Sequence, residues 1–120
     1  MFCACACAVV CGLESIPVAV SMRHGGWYGV FSAVPALAPD VLRRIYRKAD
    51  VHVYTDSDVV LSANKSWLML HTRGKEEYNI RLPRRAKRVV DVISGETVAS
   101  GCDSFSCVLE KFQTALFLME

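Results

Sequence analysis

The chain has 120 residues, 52% of them hydrophobic and 22% charged, with a formal net charge of +2. That length allows one domain, or one domain with a fragment of another, and the composition excludes disorder. The charge is too mild to imply a nucleic-acid partner.

Residues 1–13, MFCACACAVVCGL, are apolar but too short to span a bilayer, and they lack the basic start of a signal peptide. Residues 1–16 are therefore expected to form a weakly structured N-terminal segment. No membrane association is expected, and the chain supplies no reason to place it outside the cytoplasm. Cys3, Cys5, Cys7 and Cys11 crowd one end, and Cys102 and Cys107 lie near the other. A disulfide framework would spread its cysteines across the fold, and Cys-x-Cys-x-Cys is not a zinc-knuckle spacing. His24, His52 and His71 occur singly. The expectation is reduced thiols, with no metal and no cofactor.

Residues 17–22 (PVAVSM) and 27–33 (WYGVFSA) are strand-like runs on either side of Gly25 and Gly26. Gly-Gly permits the positive φ of a tight turn, so the pair predicts a β-hairpin. A phosphate loop needs a helix after the glycines, and here a strand follows. Pro39 suits a first helical position and Asp40 a first turn. Val41, Leu42, Ile45, Tyr46 and Ala49 then fall on one face, opposite Arg43, Arg44, Arg47 and Lys48. This predicts one helix over residues 39–49, whose basic side is most simply a solvated face.

From residue 51 onward the chain is a series of short apolar runs broken by turn signals. Strands are expected at 51–54, 59–63, 67–71, 78–82, 89–93, 97–99, 105–109 and 115–119. The run 67–71 is apolar on both faces and should be central. Alternation nominates Leu68, Leu70, Ile80, Val90, Val92, Phe105, Leu109 and Phe117 as the core. The fold class predicted is mainly β: a small antiparallel β-sandwich over residues 51–120, of about six to eight strands, preceded by the hairpin and helix of residues 17–50.

Arg81, Arg84, Arg85, Lys87 and Arg88 form the most basic patch. No aromatic residue interleaves with them, which argues against a single-stranded nucleic-acid platform, so a solvated linker between strands is expected. Asp56 and Asp58 could hold a cation or share a proton, but Asx-type turn bonding is the commoner use of such a pair. Trp27, Tyr28, Tyr46, Tyr54, Trp67 and Tyr78 are the candidates for stacking on a sugar, although strand positions suggest core for most of them. No nucleophile–base pair, acid pair or metal cluster stands out, so no catalytic residue is nominated.

Five segments, VHVYTDSDVV (51–60), WLMLH (67–71), IRLP (80–83), VDVISGE (90–96) and TALF (114–117), carry a family resemblance in that order. They resemble the C-terminal end of large bacterial glycoside-hydrolase-like proteins of the β-galactosidase type. In that family a catalytic (β/α)-barrel precedes an amidotransferase-like α/β domain, and a small β-sandwich closes the chain. Gly26 through Pro35 and the following helix resemble the tail of the middle domain. The resemblance implies that residues 17–50 are a remnant of that α/β domain and that the catalytic carboxylates belong to a barrel upstream. It implies a non-catalytic accessory domain that packs against a larger catalytic part or another copy of itself. A carbohydrate-binding module is the alternative, and a free-standing enzyme is the third reading. A glycosidase needs two acids set across a sugar-sized cleft.

Overall fold

The computed structural model describes residues 7–13 and 16–120, with side chains from residue 19 onward. The chain divides into two compact units, Met1–Val51 and His52–Glu120.

In the first unit, strands β1 (Cys7–Leu13), β2 (Ile16–His24) and β3 (Trp27–Ser32) form a three-stranded antiparallel sheet in the order β1-β2-β3. The expected hairpin is β2–β3. His24 pairs with Trp27 across Gly25 and Gly26, and Gly25 has φ +55°, which a side chain would strain. Residues 7–13, for which the sequence predicts no regular element, run along β2 from Cys7 opposite Met22 to Leu13 opposite Ile16.

Helix α1 (Pro39–Lys48) follows, with Pro39 at its start and Asp40 in its first turn, as the sequence predicts. Its end is a Schellman arrangement, in which the Val51 N–H reaches back to the carbonyl of Tyr46. Asp50 takes the left-handed position there at φ +58°. Val41 is buried, while Leu42 and Ile45 are half-buried.

The second unit is an antiparallel sheet of β4 (Val59–Ala63), β5 (Trp67–Thr72), β6 (Glu76–Asp91), β7 (Thr97–Leu109) and β8 (Thr114–Met119). The order is β4-β5-β8-β6-β7, so β5 is internal, as its two apolar faces imply. The long strands fold this sheet over one core. Residues 76–81 of β6 pair with β7, whereas Val89 and Val90 pair with both β7 and β8 and Asp91 pairs with β8. Leu68 and Leu70 of β5, Tyr78 and Ile80 of β6, Phe105 and Leu109 of β7, and Ala115 and Phe117 of β8 meet in a single buried cluster. The rings of Phe105 and Phe117 meet edge to face at 5.2 Å. This is the mainly β, sandwich-like fold predicted, with the hairpin and helix before it.

Several expectations are corrected. Five strands follow residue 51 instead of eight, because two pairs of expected strands are fused and one expected strand does not form. The basic stretch is not a linker: it lies inside β6, with Leu82 and Ala86 buried among outward cations. Pro83 is tolerated because the ladder is interrupted there. Arg81 pairs with Ser104 and Ala86 with Cys102, so residues 82–85 bulge opposite residue 103 alone. On the partner strand, Gly101 at φ +60° lies inside β7, where a turn was expected. Residues 51–54 form no strand; the Tyr54 carbonyl accepts one bond from the Arg81 N–H at 2.7 Å.

In the core list, Leu68, Leu70, Ile80, Phe105, Leu109 and Phe117 are buried. Val90 is half-buried and Val92 lies 41% exposed in the turn after β6, while Val89 takes the core position. A two-residue count carried from Ile80 across an irregular ladder loses its parity, because each register shift moves side chains to the other face.

Candidate functional site

The chemistry-bearing residues are distributed, not gathered. Each histidine has its own local role. His24 stacks on Trp27 at 4.4 Å, His52 Nε2 lies 2.9 Å from the Arg81 carbonyl, and His71 Nδ1 lies 2.9 Å from the Thr114 hydroxyl. Asp56 accepts from the Arg81 guanidinium at 2.6 Å. In the same turn the Thr55 hydroxyl accepts the Ser57 N–H at 3.2 Å. Among the described residues, no three His, Cys, Asp or Glu side chains converge as a metal site would require. Cys102 and Cys107 are free thiols, both half-buried. Burial pushes the Cys107 thiol up to about 11, with Asp91 adding to the effect, so it is a poor nucleophile near neutrality.

The aromatic residues nominated for sugar stacking are, against expectation, mostly exposed. Trp27, Tyr28, Tyr46 and Trp67 are open to solvent, Tyr54 is half-buried, and only Tyr78 is fully buried. Strand position sets the direction of a side chain but not whether anything covers that face. Tyr78 donates its hydroxyl to the Gly74 carbonyl at 2.8 Å, and burial raises its pKa, with the Glu76 charge acting in the same direction.

The feature that stands out in the first unit is one face of its sheet. Trp27 and Phe31 lie two positions either side of Gly29 on β3 and share a face with Val20, Met22 and His24 of β2. Trp27 is 61% exposed and Phe31 69%. The indole lies close over Gly29, where a Cβ would come within 3.2 Å of the ring. On the opposite face, Ala19 and Ser21 are buried, and Lys48 of α1 places its ammonium 4.3 Å from the Tyr28 ring centre. The Ala19 and Ser21 face also carries exposed Tyr28 and Val30, while the other sets bare Trp27 and Phe31 beside half-buried Val20 and Met22; exposed apolar side chains grouped in this way mark interaction surfaces. The sequence nominates Val18, Val20, Val30, Phe31, Leu42, Ile45 and Tyr46 as only partly covered. The side chain of Val18 lies outside the described residues, and none of the other six is buried.

No helix among the described residues is long and apolar enough to cross a membrane.

No protein-family profile matches the chain, and no curated protein matches it. Among solved structures, it resembles part of a β-galactosidase from Bacillus circulans sp. alkalophilus, with a TM-score of 0.56 and 14% identity. The match covers 88% of this chain and 16% of that one. At that identity the likeness is one of fold alone, to part of a β-galactosidase.

Proposed function

We propose that this chain is a non-catalytic accessory region of a glycoside-hydrolase-like protein, built to pack against a larger catalytic part or a second copy. On this reading, residues 17–50 are the tail of an amidotransferase-like α/β domain, with β1 (Cys7–Leu13) added to its sheet, and residues 51–120 are the closing sandwich. The observation that carries it is the bare apolar face around Trp27 and Phe31, in a chain that spans a small share of its structural neighbour. Such a face in water is a cost that a partner removes, at about 25 cal/mol for each Å² covered.

The reading is tested by identifying the reading frame upstream and co-expressing its product with this chain. Expected are a barrel with two carboxylates in that frame, co-purification, and loss of the complex in Trp27→Ser/Phe31→Ser. Purified alone, the chain should turn over no aryl galactoside. Turnover by this chain that a single substitution within it abolishes would overturn the proposal.

A carbohydrate-binding module is the second reading, favoured by the exposure of Trp27 and Tyr28. It has less support, because His24 already stacks on one face of the indole. Saturable quenching of tryptophan fluorescence by galactose, lost in Trp27→Ala, would bring it to the front.

A further inference from the structure

The bulge in β6 creates a cleft of about 210 Å³ in the His52–Glu120 unit. Its apolar lining is Leu82, Ala86 and Met119, buried in the fold, together with the exposed Pro83. Around them stand Lys65, Arg84 and Lys87. An unbroken strand would space its cations evenly along a solvated face. Here four residues of β6 bulge opposite one residue of β7, and bulges re-aim side chains in this way. Arg84 Nη2 donates to the Lys65 carbonyl at 2.7 Å, which holds the guanidinium beside Lys65.

The charges around the cleft are unbalanced. Glu120 is the one acidic residue in the lining: Arg88 engages its side-chain carboxylate through Nε at 3.0 Å and Nη2 at 2.8 Å, and its main-chain oxygen accepts the Lys87 N–H at 2.6 Å. Arg85, also in the lining, is turned aside, with Nε donating to the Gly101 carbonyl at 2.8 Å. Among the described residues no carboxylate pairs with Lys65, Arg84 or Lys87. An apolar floor beneath unpaired cations lowers the local dielectric and strengthens their attraction for an anion. Arg adds a planar fork of donors matched to an oxyanion.

We propose that this cleft binds a small oxyanion carried on an organic body, with a carboxylated sugar as the fitting size. At about 210 Å³ the cleft has room to seat a single ring. The oxyanion meets Arg84, Lys87 and Lys65, and the body lies on Leu82, Ala86 and Met119. The site stands whether or not the chain packs against a catalytic part.

The test is a titration of the ¹⁵N-labelled chain, following backbone amide shifts, with glucuronate, galactose, acetate and sulfate. Glucuronate is expected to give saturable shifts at residues 65, 84–87 and 119, weakening as salt is added, while galactose gives none. Equal saturation of the same amides by sulfate or acetate supports the oxyanion site and assigns recognition to the anion without its body. Arg84→Gln/Lys87→Gln should weaken glucuronate binding about tenfold or more, since each removes a charge-assisted contact. Both side chains are exposed, and an unchanged melting temperature checks the fold. Lys65→Gln serves as the independent variant should the double substitution fold poorly, with weaker binding expected. The proposal is overturned if no anion saturates, if galactose shifts the same amides as glucuronate, or if the charge-removing variants bind as the parent does.

Discussion

The hydroxyl of Thr72, at the end of β5, accepts the backbone N–H of Gln113 at 2.9 Å and donates to the carbonyl of Glu110. The Thr72 N–H also donates to the Gln113 carbonyl at 2.9 Å, so one fully buried residue fastens the whole β7–β8 turn to the neighbouring strand. Thr72→Val keeps the shape and removes the hydroxyl, leaving the Gln113 N–H only its longer bond to the Glu110 carbonyl at 3.3 Å. A loss of about 0.5–1.5 kcal/mol is expected, the net worth of an ordinary hydrogen bond exchanged against water. Urea unfolding of parent and variant measures it. An unchanged midpoint would mean that the turn does not depend on this bond.

The core is expected to answer to substitution by position and not by residue type. Leu70→Ala and Phe117→Ala remove fully buried side chains and should each cost about 2–5 kcal/mol. Val89→Ala should cost about 2 kcal/mol from two lost methyl groups and their cavity. Val92→Ala, in an exposed turn, should change stability by less than about 0.5 kcal/mol. Thermal melts of the four variants test the order. If Val89→Ala and Val92→Ala shifted the melt alike, the placement of the β6 core residues would be wrong.

Where the sequence was legible, local rules and the fold agree. Gly25 and Gly26 between alternating runs mark the hairpin, Pro39 and Asp40 mark the helix start, and the two-faced apolar run of β5 marks an internal strand. Around Pro83 they disagree. A proline and five cations within eight residues read as a linker, since proline cannot donate to a ladder. The strand continues because the ladder is interrupted at that point and asks for no donor. The same interruption hides the cleft from the sequence, since Lys65, Met119 and Arg84 come together only when β6 bulges. The clue available was the alternation of Leu82 and Ala86 inside a basic run. The bare face of the first sheet was legible as apolar residues but not as exposed ones, because coverage depends on what packs there.

Phe112 is expected to be a position of surplus strain. It sits in the turn before β8 at φ +60° and is well exposed, with Lys111 Nζ 4.8 Å from its ring centre. The left-handed region costs a non-glycine residue about 1–2 kcal/mol, and asparagine tolerates it better. Phe112→Asn should therefore raise the unfolding midpoint, by up to about 1 kcal/mol after the lost ring contact is counted. A lower midpoint would show that the Phe112 ring, and not the backbone, decides this turn.

Cys107 is expected to resist alkylation until the medium is strongly alkaline. Its thiol ordinarily ionises near 9 and is pushed up to about 11 by burial, assisted by Asp91. Only the thiolate attacks, so in the native protein the rate at Cys107 should climb up to about pH 11 rather than level off near 9. The linked effect on stability has a definite sign. Below pH 9 the thiol is neutral in both states, and its contribution to stability is fully present. Between 9 and 11 the unfolded chain ionises first, so stability falls as pH rises through the folded value. Half-burial keeps this fall small. Mass spectrometry of iodoacetamide-treated native protein, with unfolded protein as reference, reads the rate at Cys107 directly. A native rate that levels off near pH 9, alongside the unfolded reference, would show that the thiol is solvated and the packing of β7 against β6 looser than described.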